Sequence, residues 1–207
     1  MVDNSMVREI GHASSPVWSP RIGRPDSVSW AAQQAEFMEM RSTAKVAQVE
    51  NAIRKPIEQA AWSVEPNGAP AEVVELVSTD LRLPVKGEDG QVARRTGRVS
   101  WDEHLKMALE AVFTGVAFFE QVYELGDDGR HHLRKLAPRP NISIRKIHVA
   151  SDGGLVGITQ RGVKGSKDVF IPVERLVAYR HGRRDDTWQG SSAVSYTHLT
   201  LPTKRIV

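Results

Sequence analysis

The stretch SWDEHLKMALEAVFTGVAFFEQVYEL, residues 100–125, decides the fold class, because a helical pattern changes to a strand pattern within it. Ser100 and Glu103 have the spacing of a capping box, in which each side chain hydrogen-bonds the other residue's backbone N–H. Apolar residues then recur at the helical period: they are Leu105, Ala108, Leu109, Val112, Phe113 and Val116. We therefore predict a helix that begins after Ser100, loosens near Gly115 and leads into a strand.

The residues after this helix carry the signals of antiparallel strands. Two pairs of strand-like segments flank the tight turns GDDG, residues 126–129, and SDGG, residues 151–154, and this spacing predicts two β-hairpins. The hairpin strands are AFFEQVYEL (117–125), RHHLRKLAP (130–138), NISIRKIHV (141–149) and LVGITQRG (155–162). The segments DVFIP (168–172) and RLVAYRH (175–181) predict one or two further strands.

The residues before the helix are predicted to be mainly helical. From Ser42 one apolar stripe follows the helical period, and it consists of Val46, Val49, Ile53, Ile57 and Ala60. Pro56 is expected to kink or break this helix, since it lacks an N–H and its ring conflicts with a carbonyl. AAWSVEP, residues 60–66, alternates like a short strand. A second amphipathic helix is predicted behind Pro70, with Val73, Val74, Leu76, Val77 and Leu81 on its apolar face. Helices first and strands later predict an α+β fold, with amphipathic helices packed on a mostly antiparallel sheet.

Composition places the chain among ordinary globular proteins. Of its 207 residues, 40% are hydrophobic and 26% are charged, and the formal net charge is +3. This mild positive charge permits a polyanionic partner without requiring one. The absence of cysteine excludes a disulfide framework, a thiolate nucleophile and a zinc–thiolate site. No apolar run approaches the ~20 residues that span a bilayer, and Met1 to Ile10 lack the apolar core of a signal peptide, so a soluble intracellular protein is expected.

Three regions are predicted along the chain. Residues 1–29 combine Pro, Gly, Ser and Arg with few apolar side chains, and we expect a flexible arm that is disordered or ordered only against a neighbour. Residues 30–192 carry the helix and strand signals and form the predicted α+β domain. Residues 193–207, AVSYTHLTLPTKRIV, have neither a helical nor a strand period.

No group of residues has the spacing of a known catalytic or metal site. Neighbouring strand residues point to opposite faces, so His131 and His132 are not expected to share a metal ion and are interpreted as solvated hairpin residues. A metal-dependent nuclease could use Asp127, Asp128 or Asp152, but aspartate is also favoured in tight turns for its geometry alone. We expect no catalytic residues, no cofactor and no metal, and the nuclease is the alternative.

Two arginine clusters are the remaining candidates for a binding site. Arg94, Arg95 and Arg98 precede the helix at residue 100, and Arg180, Arg183 and Arg184 follow the last predicted strand. Such groups attract DNA without regard to its sequence and in a salt-sensitive way, while a solvated, partly ion-paired surface is the other interpretation. We assign the first cluster as candidate nucleic-acid contacts, and a nonspecific DNA-binding module is a further alternative function.

Five sequence blocks follow one another in a characteristic order. They are KVAQVENAIRKPIEQAAWSVEPNG (45–68), HLKMALEAVFTGVAFFEQVYEL (104–125), LRKLAPRPNISI (133–144), GLVGITQRG (154–162) and IPVERLVAYRHGRRDDTWQGSS (171–192). In this order and spacing they resemble bacteriophage portal proteins, in the branch of actinobacterial and Mu-like tailed phages. The resemblance covers residues 46–192, and no single block carries it alone.

The resemblance implies a structural subunit of a dodecameric ring at one capsid vertex, with residues 30–192 in the outer, wing-like region. Double-stranded DNA passes through such a ring, without sequence specificity, during packaging and ejection. The implied partners are further copies of the chain, the terminase, the head–tail connector and capsid proteins. The implied location is the virion, with the host cytoplasm during assembly. No covalent chemistry, cofactor or membrane is implied.

Portal proteins of this kind continue past a segment like WQGSS, residues 188–192, into stem helices, a clip and a tunnel-lining segment. Residues 193–207 show none of these patterns. We therefore expect them to be non-native sequence or a disordered tail, and the chain to be the N-terminal part of a portal protein.

Overall fold

The computed structural model describes residues 30–88, 100–163, 165–182 and 188–193. Within these residues the helices are α1 (Trp30–Met40), α2 (Ala44–Glu58), α3 (Ala71–Leu81), α4 (Trp101–Ala108) and α5 (Glu110–Thr114). The strands are β1 (Val116–Leu125), β2 (His131–Arg139), β3 (Ile144–Val149), β4 (Leu155–Gln160), β5 (Val169–Pro172) and β6 (Leu176–Arg180). Helices precede strands along the chain, and the paired strands are antiparallel, so the predicted α+β fold is confirmed.

The six described strands form two three-stranded sheets rather than a single sheet. β1 is central in the first sheet, in the order β2–β1–β6, and β4 is central in the second, in the order β3–β4–β5. Between β2 and β3, Asn141–Ser143 form one 3-10 turn behind Pro140, and proline has no N–H with which to continue a β-ladder. The two predicted hairpins, β1–β2 and β3–β4, are both confirmed.

The helix that begins after Ser100 is confirmed together with its capping box. The backbone N–H of Glu103 donates to Oγ of Ser100 at 3.4 Å, and the backbone N–H of Ser100 donates to Oε2 of Glu103 at 3.1 Å. The helical path pauses at Leu109, which separates α4 from α5. Gly115 then ends α5 in the left-handed region, with φ +86°, and this turn sends the chain directly into β1.

Strand β1 is buried on both faces at its start, because Phe118 and Phe119 point to opposite sides of the sheet. Both residues are 1% exposed. Phe118 packs with residues of the second sheet and of β6, which are Ile144, Ile158, Ile171 and Leu176. Phe119 packs with Ala108 and Ala111 from α4 and α5. The stretch that sets the fold class therefore also supplies the centre of the core.

Helix α2 is confirmed, but its orientation differs from the prediction. Val49 and Ile53, which the apolar stripe places on the buried face, are 51% and 38% exposed. Glu50 between them is only 6% exposed. Ion pairs with Arg41 and Arg54 hold Glu50 inward, so the charged side chain occupies the face that periodicity assigns to apolar residues.

The residues between α2 and α3 also differ from the prediction. Pro56 lies inside α2, which continues to Glu58 without a break. The strand predicted at residues 60–66 is wrong, because this segment makes only an isolated bridge between Val64 and Val85, with two backbone hydrogen bonds of 2.8 and 2.9 Å. Helix α3 is confirmed, with Pro70 at its N-cap rather than as its first residue.

Helix α1 was not predicted, because the apolar residues of WAAQQAEFMEM do not form one stripe at the helical period. It is held by Trp30, whose indole N–H donates to the carbonyl of Asn141 at 2.8 Å. Gln34 and Phe37 of the same helix are 2% and 6% exposed. The predicted arm, residues 1–29, lies outside the described residues. In the described part of the chain, no helix combines the length and the apolar character needed to cross a membrane.

Candidate functional site

The acids considered for a metal-dependent nuclease occupy two separate hairpin turns. In the β1–β2 turn, Oδ1 of Asp128 accepts the backbone N–H of Arg130 at 3.0 Å, and the neighbouring Asp127 is exposed. In the β3–β4 turn, Oδ1 of Asp152 accepts the backbone N–H of Gly154 at 2.9 Å. These are the local hydrogen bonds that favour aspartate in turns. No group of three or more His, Asp or Glu side chains among the described residues could hold a metal ion, so the nuclease alternative is not favoured.

The paired histidines have different environments. His131 is exposed, but the prediction of a solvated side chain is wrong for His132, which is 8% exposed. Nδ1 of His132 lies 2.8 Å from Oδ1 of Asp80 in α3, and Nε2 lies 3.2 Å from both carboxylate oxygens of Asp128. Sequence spacing could not show this contact, because Asp80 is 52 positions away. The two carboxylates contact opposite nitrogens of one ring, so they do not converge on a shared ion.

A pocket between α3, α4 and β2 is too small for a substrate. Its volume is about 20 Å³, room for about one water molecule, whereas ligand pockets usually measure about 300–1,000 Å³. His104 lines the pocket, and its Nε2 lies 2.9 Å from the hydroxyl of Tyr179. Burial lowers the pKa of His104, so the ring is neutral near neutral pH. Both rings pack edge-on against Phe119, which indicates that the pair holds α4 on the sheet.

A network of four charged residues joins the α1–α2 turn, α2 and α5. Glu50 and Glu110 each pair with both Arg41 and Arg54. Nε of Arg41 donates to Oε2 of Glu50 at 2.7 Å, and Nη1 of Arg54 donates to Oε1 of Glu50 at 2.6 Å. Burial opposes ionisation of Glu50, but the hydrogen bonds from Arg41 and Arg54 outweigh it and lower the pKa of Glu50. Hydrogen bonds to Glu50 and Glu110 raise the pKa of Arg41, so the Arg41–Glu50 pair stays ionised.

Residues 188–193 fold back onto the junction between α5 and β1. The backbone N–H of His181 donates to the carbonyl of Gly115 at 2.9 Å, and the backbone N–H of Ser191 donates to the carbonyl of His181 at 2.8 Å. Gly190 crosses Gly115 so closely that a side chain on either residue meets the backbone of the other. This returning segment is therefore an integral part of the fold.

Helices α2 and α3 each expose two apolar side chains four positions apart. The exposed fractions are 51% for Val49 and 38% for Ile53 on α2, and 45% for Val73 and 37% for Val77 on α3. Side chains four positions apart lie on the same face of a helix. We call these two pairs the exposed helix faces. Each of these two helices therefore leaves apolar side chains in contact with water on one face.

The predicted DNA contacts are not part of the described structure. Of the two arginine clusters, five members lie outside the described residues: Arg94, Arg95, Arg98, Arg183 and Arg184. Arg180 is described, and its guanidinium stacks over the ring of Trp188 at 4.2 Å. This cation–π contact links β6 to the returning segment, so Arg180 has a role within the fold.

The comparison with protein families agrees with the order of the sequence blocks. Residues 34–199 match the model of a family described as the portal protein of Mu bacteriophage. The chain belongs to this family. No match was found among curated proteins. The resemblance to Mu-like portal proteins is thereby confirmed, while the actinobacterial branch stays a prediction. The match begins within α1 and ends at residue 199, beyond the end of the predicted domain at residue 192. The predicted division of the chain into residues 1–29, 30–192 and 193–207 stays a prediction.

Portal proteins are structural rather than enzymatic, so function in this portal protein depends on contacts between surfaces. Three of its internal contacts were not found by sequence reasoning: the Glu50 network, the Gly115–Gly190 crossing and the Asp80–His132–Asp128 group. For the first a signal was available, because Glu50 and Arg54 have the four-residue spacing of a helical ion pair. The other two join residues that are far apart in the chain, and no local pattern marks them.

Proposed function

We propose that this chain is a structural subunit of the ring that occupies one vertex of a phage capsid. The observation that carries this proposal is the match of residues 34–199 to the portal family. Copies of the chain surround a channel through which double-stranded DNA is packaged and later ejected. The full-length ring is dodecameric, assembles in the host cytoplasm and remains in the virion. Its partners are the terminase, the head–tail connector and capsid proteins.

The DNA passes through this ring without sequence-specific recognition. Arg94, Arg95 and Arg98 supply positive charges in the residues that precede α4, and the formal net charge of the chain is +3. Contacts between arginine and phosphate depend on charge and salt rather than on base sequence. Such contacts suit a channel through which every part of a genome must slide. Residues 30–192 form the wing-like region of the subunit.

The exposed helix faces support assembly with further copies of the chain. A closed ring needs two different complementary surfaces on each subunit, since its contacts are head-to-tail. Val49, Ile53, Val73 and Val77 leave apolar area in water, and burying such area contributes about 25 cal/mol per Å². We assign the α2 face to one of the two subunit contacts.

The double variant Val49→Glu with Ile53→Glu is expected to weaken assembly of the full-length portal chain at least about tenfold. Burying two carboxylates against a neighbouring subunit removes apolar contact and adds desolvation cost, and about 1.4 kcal/mol already gives that factor. Mass photometry across a concentration series measures the change. Circular dichroism should show an unchanged helix and strand content, because both side chains face solvent within the subunit.

The matched control is Val163→Glu. Val163 is 73% exposed but lies in the loop between β4 and β5, away from the helices. This variant should assemble like the wild-type chain. Equal assembly of the double variant and the wild type contradicts the role of the α2 face, and it leaves the ring itself to be tested separately.

A further inference from the structure

His132 lies between two carboxylates at the point where α3 meets the β1–β2 hairpin. Its Nδ1 is 2.8 Å from Asp80, and its Nε2 is 3.2 Å from Asp128. The second carboxylate oxygen of Asp80 accepts the backbone N–H of Leu133 at 2.7 Å, which fixes this carboxylate beside the ring. An ionised carboxylate only accepts hydrogen bonds, so both ring nitrogens must carry a proton for both contacts to form. The arrangement therefore fits the charged imidazolium and not the neutral ring.

No apolar side chain of α3 is fully buried. Ser78 is the only fully buried residue of this described helix, and its hydroxyl donates to a carbonyl just beyond the helix end. Glu72 pairs with Arg130 of the hairpin turn at 3.1 Å, but both side chains are exposed, and exposed pairs add little stability. The contact between Asp80 and His132 joins side chains that are only 8% and 10% exposed. It is therefore the better shielded of these two links.

We propose that His132 is a proton-dependent contact that fastens α3 to the β1–β2 hairpin. With the ring protonated, both carboxylates receive a hydrogen bond and α3 is held. When the ring loses a proton, one nitrogen presents a lone pair to a carboxylate, and that contact becomes repulsive. The ring contacts Asp80 from α3 and Asp128 from the turn, and Arg130 beside Asp128 pairs with Glu72 of α3. Opposite His132 in the β1–β2 ladder lies Glu124, which pairs with Arg134 at 3.8 Å.

The direction of the pH effect follows from the pKa values of these groups. Hydrogen bonds to Asp80 and Asp128 raise the pKa of His132, against the effect of burial. A group whose pKa rises on folding adds stability that is complete below its unfolded pKa and is lost as the pH rises through its folded pKa. The lower end of this pH range is set by protonation of the Asp128 carboxylate. A hydrogen bond from the backbone N–H of Arg130 and, to a smaller extent, one from His132 lower the pKa of Asp128. The attachment of α3 through His132 is therefore strongest at pH values above the pKa of Asp128 and below the pKa of His132.

Hydrogen exchange of the α3 backbone amides, expressed as protection factors, tests the proposal in the complete chain. In the wild type, protection of residues 71–81 is expected to fall roughly tenfold as the pH rises through the His132 titration. His132→Gln cannot carry the positive charge, and we expect lower protection without a pH step. His131→Gln, on the opposite face of the same strand, should keep the wild-type step and serves as the matched control.

A second measurement does not depend on whether a variant folds. Nitrogen-15 NMR of the His132 ring in the wild type should show two protonated nitrogens at slightly acidic pH. A neutral ring under that condition overturns the proposal. A pH step of wild-type size in His132→Gln also overturns it, because the step must then come from another group.

Discussion

Gly190→Ala is expected to lower the free energy of unfolding by about 3 kcal/mol. Gly190 has φ +64°, and a Cβ there collides with the carbonyl of Gly115 and lies 2.8 Å from the carbonyl oxygen of His181. Both obstacles are backbone atoms, which cannot rotate away as a flexible side chain can. Relief therefore requires residues 188–193 to move off the α5–β1 junction. That movement breaks the backbone hydrogen bond of 2.9 Å by which Ala193 is held to α5.

Gly68→Ala separates the steric effect from the backbone strain. Gly68 also has a positive φ, +80°, but nothing lies within 4 Å of the position of a Cβ. Its loss should be about 1 kcal/mol, the cost of a non-glycine residue in the left-handed region. Equilibrium urea denaturation measures both variants. If both variants lower the free energy of unfolding by the same amount, the close approach of Gly190 and Gly115 does not contribute to stability.

Glu50→Gln is expected to lower the free energy of unfolding by about 2 kcal/mol. Glu50 is 6% exposed and binds two guanidinium groups. Its neutralisation leaves Glu110 as the carboxylate that Arg41 and Arg54 share, while Arg54 also keeps its pair with Glu58. Glutamine keeps the size of the side chain and part of its hydrogen bonding, which isolates the loss of charge. Removing one partner of a shielded ion pair is costly because the remaining charges lose their compensation.

The pH dependence of stability gives a second measure of the same network. The pKa of Glu50 is lowered on folding, so its contribution is present above the unfolded pKa and is lost as the pH falls through the folded pKa. Wild-type denaturation midpoints should therefore fall more steeply with acid than those of Glu50→Gln. The control Glu65→Gln removes a 3.0 Å pair with Lys86 in which both side chains are more than 60% exposed. We expect it to cost less than about 0.5 kcal/mol.

Local sequence patterns correctly predicted the helix after Ser100 and the two hairpins, because neighbouring residues determine these elements. The capping box at Ser100 and the glycine-rich turns involve residues within a few positions, and the helix and both hairpins formed where the patterns placed them. The orientation of α2 was not predictable in this way. Its buried residue is Glu50 because Arg41 and Glu110, the latter 60 positions further along the chain, complete an ion network there. Helix α1 has no strong pattern at all, since a glutamine is among its most buried residues.

Sequence patterns predicted the protein family but not the contacts between residues that are distant in the chain. The family could be inferred from the order of five blocks, because that order reflects the whole fold. The proposed role of His132 could not be inferred from the sequence, because its partner Asp80 belongs to α3 and lies 52 positions away in the chain. Arg94, Arg95 and Arg98 remain proposed contacts outside the described residues.

Electron microscopy of the full-length portal chain tests the central claim most directly. We predict closed rings with a central channel wide enough for a DNA duplex, in which the α2 face of each subunit lies against its neighbour. Compact monomers at every protein concentration would contradict the account.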